Sequence, residues 1–186
     1  MIVRAIALLK GAMAVPKVTS SRHGNVEFRG LRVGDWQQVS QLYALLNEGK
    51  ELGVWKRLFY FAFGSRVAIV ALEEEAILAF FLYSFGVRDL TEKTVHESFT
   101  GVANIVQGQG LGTAIRKHAI SHFERTGLAG ISSRVSLSNA PSLQSNEKLG
   151  FHIVETYFDP EMAEEWAYMI RSLSGGRGFD VDRSPD

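Results

Sequence analysis

Along the 186-residue chain the spacing of apolar positions changes character several times. Val26-Glu27-Phe28-Arg29 alternates and predicts a strand. Trp36, Val39, Leu42, Leu45 and Leu46 then recur at helical spacing, with Asp35 placed as the N-cap. Gly49 to Gly53 breaks that pattern, and Leu52–Phe63, rich in aromatics, predicts a second helix. Two β-rich runs, Arg66–Leu72 and Ala76–Phe85, flank Glu73-Glu74-Glu75 and predict a hairpin with a solvated acidic turn. Thr94–Val106 is a long strand candidate that runs into Gln107-Gly108-Gln109-Gly110-Leu111-Gly112. A helix from about Leu111 to Thr126 follows, with Leu111, Ile115, Ala119, Ile120 and Phe123 facing inward and Gly127 as its stop. Ile131–Leu137 reads as a strand, Ala140–Leu149 as a short helix closed by Gly150, and Phe151–Asp159 and Glu165–Leu173 as the last two strands. Strands and helices interleave, so the fold class is mixed α/β.

The ends differ from this middle. The opening Met1–Val15 superficially resembles a signal peptide, but Lys10 cuts its apolar run short. A short amphipathic segment packing on the domain or on a partner subunit is the expectation. Pro16 to Gly24 has linker composition and the last residues form a Gly-rich tail. The expected division is therefore an extension and linker at 1–24, a compact domain at 25–173 and a flexible tail at 174–186.

Composition narrows the chemistry. The chain has no cysteine, which excludes disulfides, thiolate metal ligands and a cysteinyl acyl intermediate. Twenty Lys+Arg balance twenty Asp+Glu, which argues against a generic nucleic-acid binder. No apolar stretch is long enough for a membrane span. His118 and His122 stand four residues apart, as metal-binding helical pairs do, but without the Glu of an HExxH arrangement; a solvated helix face is expected there and no metal.

The sharpest feature is the glycine loop at 107–112, between a strand and a helix. Glycines let backbone N–H groups converge on one point, and the helix N-terminus adds partial positive charge, a combination that suits phosphate or pyrophosphate. The alternative is a tight turn with no ligand. A Walker loop would need Gly-Lys-Ser/Thr where Gly112-Thr113-Ala114 stands, and a Rossmann fingerprint would need GxGxxG in a first βαβ unit. What remains is Q-x-x-G-x-G, on Gln107, Gly110 and Gly112. Downstream, Asn139, Ser142, Lys148, Gly150 and Phe151 fall at the spacing of N-x-x-A-x-x-x-Y-x-K-x-G-F. With both motifs in order, the sequence resembles the GNAT family of acyl-CoA-dependent N-acetyltransferases.

That resemblance implies a mixed, mostly antiparallel central sheet with flanking helices and a V-shaped split between the fourth and fifth strands. It implies acetyl-CoA as co-substrate. Backbone groups of Thr100 and Val102 would meet the pantetheine arm, the N–H groups of Gln107, Gly108, Gln109, Gly110, Leu111 and Gly112 the pyrophosphate, and Asn139, with Ser142 near it, the coenzyme. The amine would attack the thioester directly in a ternary complex. His96 stands where related enzymes carry a base, with Glu97 in reserve. In an ideal strand His96, Ser98, Thr100 and Val102 share a face and Glu97 points to the other, a parity that a bulge would change. Each also has a plainer reading, His96 as a strand histidine bonded to a neighbour and Glu97 as a solvated carboxylate. Two departures stand out: Asn146 occupies the place of the family's tyrosine acid, leaving Tyr157, Tyr168, Ser145 or water, and the loop lacks an internal Arg or Lys, with Arg116 and Lys117 a turn later.

The aromatic run Trp55, Phe59, Tyr60, Phe61 and Phe63 lines either an acceptor pocket or the core. The acids at 155–165 form either an attractive rim for a cationic amine or a solvated loop. The expected function is acetyl transfer to a primary amine of a small molecule such as an amino sugar or polyamine. Acetylation of a protein N-terminus or lysine is one alternative, and a weakly catalytic acyl-CoA sensor another. A cytoplasmic protein is expected, and the N-terminus is a candidate homodimer contact.

Overall fold

The computed structural model describes residues 2–174, and the expected tail lies, beyond Ser174, outside the described residues. Helix α1 (Ile2–Ala14) precedes a hairpin of β1 (Ser21–His23) and β2 (Val26–Gly30). Helices α2 (Trp36–Leu46) and α3 (Val54–Val67) lead into the hairpin β3 (Ala68–Glu73) and β4 (Ala76–Ser84). After them come α4 (Val87–Glu92), β5 (Thr94–Val102), α5 (Leu111–Phe123), β6 (Gly130–Ser136), α6 (Ala140–Lys148), β7 (His152–Asp159) and β8 (Glu164–Ser172).

Eight strands form one sheet in the order β1-β2-β3-β4-β5-β6-β8-β7. Each neighbouring pair is antiparallel except β5 and β6, which are parallel. Because β1 adds an outer strand, the fourth and fifth strands of the expected architecture are β5 and β6. Helices α5 and α6 cover one face of the sheet. Phe123 of α5 meets Tyr83 edge-on at 4.8 Å, and Asn146 of α6 reaches Met169. On the other face α2 places Tyr43 4.4 Å from Phe99, which stacks on Phe80. The core between these layers takes its bulk from β3 and β4, whose residues 68–71 and 79–83 are almost wholly buried.

Several expected boundaries move. Helix α3 continues through Val67, so the strand placed from Arg66 begins at Ala68. The strand placed at 94–106 stops at Val102, where a 3-10 turn at Asn104–Val106 takes over. Asp35 does precede α2, but its carboxylate makes no cap bond to that helix; it takes two hydrogen bonds from Arg29, at 2.6 and 2.9 Å. Burial pushes the Asp35 carboxyl up, but the Arg29 and Arg32 donors outweigh it and hold it below its ordinary value. The hairpin forms as expected but its turn is shorter: Glu73 pairs with Ala76 in the ladder, and Glu74 and Glu75, both at positive φ, make the two-residue turn.

Residues 2–23, expected as an extension and linker, carry a helix and a strand. Ala7, Ala12 and Val15 are buried, and β1 pairs along β2. A Cβ on Gly11 would overlap the Phe85 ring, so glycine is what lets α1 lie against the end of β4. Helix α4 was not expected at all.

Candidate active site

Strands β5 and β6 pair only at their beginnings, Thr94↔Gly130, Val95↔Ile131, His96↔Ser132 and Glu97↔Ser133. Past those pairs they part, β5 staying with β4 and β6 with β8, and the sheet opens in a V whose apex is at residues 96–97. On β4, Leu82 faces Phe99 while Tyr83 faces Glu97, leaving Ser98 as an extra residue in β5. This bulge reverses the ideal-strand parity. Partners across a ladder share a face: Thr100 pairs with Phe81, Val102 with Ala79 and Glu97 with Tyr83, so all three lie on the α5 face. His96, paired with Ser84, lies on the opposite one. The expectation that His96 shares the face of Thr100 and Val102 is thus corrected, and Glu97 takes that place.

On the α5 face the end of β5, the glycine loop and the start of α5 enclose a cleft of about 350 Å³. Thr100, Val102, Gln107, Gly108, Gly110, Leu111 and Gly112, all expected there, line it together with Arg116 and Ser145. Gly108 (φ 76°) and Gly110 (φ 82°) take left-handed backbone that a side chain would strain. A Cβ on Gly112 would come to 3.5 Å from Val102 Cγ2 and narrow the cleft. The loop is braced from within, since Gln107 Nε2 donates to the Val102 carbonyl at 3.1 Å and to Asn104 Oδ1 at 3.0 Å. Gln109 donates its side chain to the Ile105 carbonyl and does not line the cleft. First-turn N–H groups of α5 lack helical acceptors, so the cleft has the donors and shape for an anionic pyrophosphate.

The nearby cation is already committed. Arg116 Nε and Nη2 donate to the two Glu97 oxygens at 3.1 and 2.8 Å, both side chains being buried. Burial pushes the Arg116 guanidinium down, but Glu97 outweighs it and the net shift is upward. Tyr83 and Ser133 hydroxyls also donate to Glu97. Glu97 is therefore a caged buried carboxylate, not a solvated one, and Lys117 lies in a separate groove with Lys148 and Arg171.

Asn139 and Ser142 do not line the cleft. Asn139 caps α6, its Oδ1 accepting from the Ser142 N–H at 3.2 Å. Asn146 is buried and donates to the Met169 sulfur, so it faces the core, whereas Ser145 beside it faces the cleft.

On the opposite face, His96 Nδ1 lies 2.9 Å from Ser132 Oγ. Burial pushes the His96 imidazole below its ordinary value. Its Nε2 makes no hydrogen bond with the described residues. Asp89 of α4, missed by the sequence reading, stands behind Ser132 and accepts its hydroxyl at 3.0 Å. Tyr168 donates to Glu92 at 2.9 Å, and Arg88 lies over the Tyr168 ring and binds Glu155. Burial pushes the Tyr168 hydroxyl up to about 12.

The aromatic run of α3 is divided. Phe59 and Tyr60 are core, whereas Trp55 is 84% exposed and Leu58 and Phe61 more than half. Of the acids at 155–165, Glu155 pairs with Arg88 and Glu164 accepts from Ser136 at 2.6 Å. Of the expected solvated pair on α5, His118 is half-buried and His122 is buried. His118 stacks on Phe28 and bonds Ser21, and buried His122 bonds the Arg66 carbonyl at 3.0 Å. Among the described residues no group of three or more His, Cys, Asp or Glu is arranged to hold a metal ion, and no helix is long and apolar enough to cross a membrane.

A parallel pair that splits beside a glycine loop and a helix N-terminus is the architecture of acetyl-CoA-dependent transferases. The chain belongs to the acetyltransferase (GNAT) family, whose model matches residues 36–151. Its fold is similar to that of the ribosomal-protein-S18-alanine N-acetyltransferase of Escherichia coli, with TM-score 0.64, 19% identity, and coverage of 83% of this chain and 97% of that one. It is also similar to Arabidopsis thaliana Naa50 in complex with the bisubstrate analogue CoA-Ac-MVNAL (TM-score 0.68, 16% identity, 80% and 99% covered). A third likeness is to yncA, a putative acetyltransferase of Salmonella typhimurium with its cofactor acetyl-CoA (TM-score 0.66, 19% identity, 87% and 98% covered). No curated protein sequence matches the chain.

Proposed function

We propose that the protein transfers the acetyl group of acetyl-CoA to a primary amine of a small molecule. The observation that carries this reading is the two-sided split: the cleft beside the glycine loop is on one face of the sheet and His96 is on the other, at the apex of the opening. A coenzyme seated on the loop N–H groups would run its pantetheine arm past Thr100 and Val102 into the opening. An amine arriving from the far face would meet the thioester at the apex. There His96, neutral at pH 7 because burial disfavours its charged form, takes a proton from the ammonium. The amine nitrogen bonds to the thioester carbon, the C–S bond breaks, and the second nitrogen proton passes to the departing thiolate, which leaves as coenzyme A with its thiol restored. Ser145, which faces the cleft, is better placed than buried Asn146 to assist that departure.

Thiol release from acetyl-CoA across a panel of amino sugars and polyamines tests the proposal. Coenzyme binding without release for any amine leaves the sensor reading in its place. A second acceptor class, a protein N-terminus, is favoured by the open apolar surface of α3, where Val54, Trp55, Leu58 and Phe61 are exposed, and by the likeness to the S18-alanine and Naa50 structures. Peptides in the same assay decide between them. A cytoplasmic location and a homodimer formed through the exposed Val3, Ile6, Leu9 and Met13 of α1 complete the reading; sedimentation of the intact chain tests the dimer.

A further inference from the structure

The base proposed above has two nitrogens, and what lies behind it selects between them. Ladder pairing sets His96 of β5 beside Ser132 of β6. Helix α4, entered at Gly86, brings Asp89 beneath both. Asp89 accepts from Ser132 Oγ at 3.0 Å, Thr94 Oγ1 at 2.9 Å and the Gly86 N–H at 2.7 Å, and all three side chains are buried. A carboxylate only accepts, and a serine has one proton to give. With that proton on Asp89, Ser132 Oγ can only accept from His96 Nδ1, which must carry the hydrogen. Nε2 is then the bare nitrogen.

We infer that Ser132 and Asp89 are positioning residues that fix His96 as its Nδ1–H tautomer and turn Nε2 toward the acceptor side of the opening. This rests on the reading of His96 as the base. It needs no proton to reach Asp89: the ammonium gives its proton to Nε2, the imidazolium keeps its Nδ1–H on Ser132, and the nearby carboxylate stabilises the new charge. The other groups around the ring are Arg134 from β6, which opposes that charge, and Glu97 from the far face, which favours it but is paired with Arg116. Arg88 and Glu92 of α4 and Tyr168 of β8 complete the surroundings, bound to one another.

The test is long-range 1H–15N correlation on histidine-labelled full-length protein at a pH where the rings are neutral, with His96→Gln to assign the signal. The expected wild-type pattern is Nδ1-protonated, and Ser132→Ala should move it toward the Nε2–H form. In turnover, Ser132→Ala should lower kcat about tenfold with the KM for acetyl-CoA unchanged. Asp89→Asn should shift the acidic limb of the pH–rate profile to lower pH. Because Asp89 also caps α4, the wild-type spectrum carries the decision if that variant fails to fold. An Nε2-protonated His96 in the wild type overturns the positioning role of Ser132 and Asp89 even if His96→Gln abolishes activity. A His96→Gln profile that keeps its acidic limb overturns the base reading itself, whatever the tautomer.

Discussion

On the α5 side of the sheet opening, Glu97 is held by Arg116, Tyr83 and Ser133, and its charge is cancelled within the protein. One residue away and on the other side, His96 spends one nitrogen on Ser132 and leaves the second without a described partner. Each is partly or wholly buried, each can exchange a proton, and they are adjacent in the chain. Connectivity of the surroundings separates them. A carboxylate with a two-point guanidinium clamp would have to give up that pairing in a buried site before it could take a proton, at a cost of several kcal/mol. A neutral imidazole with a free nitrogen gives up nothing. The same opening thus has a fixed ion pair on one side and, on the other, the imidazole to which the proposed reaction assigns the proton transfer.

His96→Ala should lower kcat/KM for the acceptor by about a hundred- to ten-thousand-fold, the range typical of a lost general base, with the dissociation constant of acetyl-CoA unchanged by calorimetry. An unaltered pH–rate profile in that variant would move the base elsewhere. Next in size, Arg116→Met should cost about 3–5 kcal/mol in urea unfolding by stranding Glu97, and pairing it with Glu97→Leu should recover much of that loss. A single variant as stable as wild type would show that Glu97 is not caged.

Burial holds the His122 ring down at about 4 against an ordinary value of 6.5, so the unfolded chain binds more protons than the fold between these values. Stability from this group is complete above pH 6.5 and is lost as pH falls toward 4, about 3 kcal/mol in all. His96 and His118, also lowered by burial, act in the same direction. Denaturation midpoints measured from pH 7.5 to 4.5 should fall accordingly, and His122→Gln should flatten the slope without moving the acidic limb of the rate. Smallest of these effects, Gly110→Ala should lower unfolding stability by roughly 1–2 kcal/mol, since its φ of 82° strains a side chain; urea unfolding checks it, and the pH profile of the rate should not change.

Much of this arrangement was legible beforehand. The loop at 107–112, helix α5 and the acidic hairpin turn were readable because each depends on a local device: glycine freedom, a 3.6-residue period, a two-residue turn. Three features were hidden for different reasons. The face of His96 depends on the bulge at Ser98, which no Gly or Pro marks. Helix α4 spans six residues, Val87–Glu92, too few for a period, and only Gly86 before it and Asp89 as a return cap hint at it. Asp35 looked like a helix cap because its competing partner, Arg29, is defined by the strand's position and not by spacing. The burial of His122 could have been found: it lies seven residues after Ile115 and three after Ala119, on the stripe already assigned inward.

Beyond Glu97 and Ser133 the sheet has an inner rim, unlike its outer rims at β1 and β7. β5, held by β4, and β6, held by β8, edge it, and an extended segment entering it would satisfy the amides and carbonyls that point into the gap. Past their last pair the two strands leave a lane inside the sheet, edged by β5 and β6. Hydrogen exchange should reveal it: within 98–102, amides directed at β4 exchange slowly and those directed into the lane quickly. An extended ligand that fills the lane slows the second set alone.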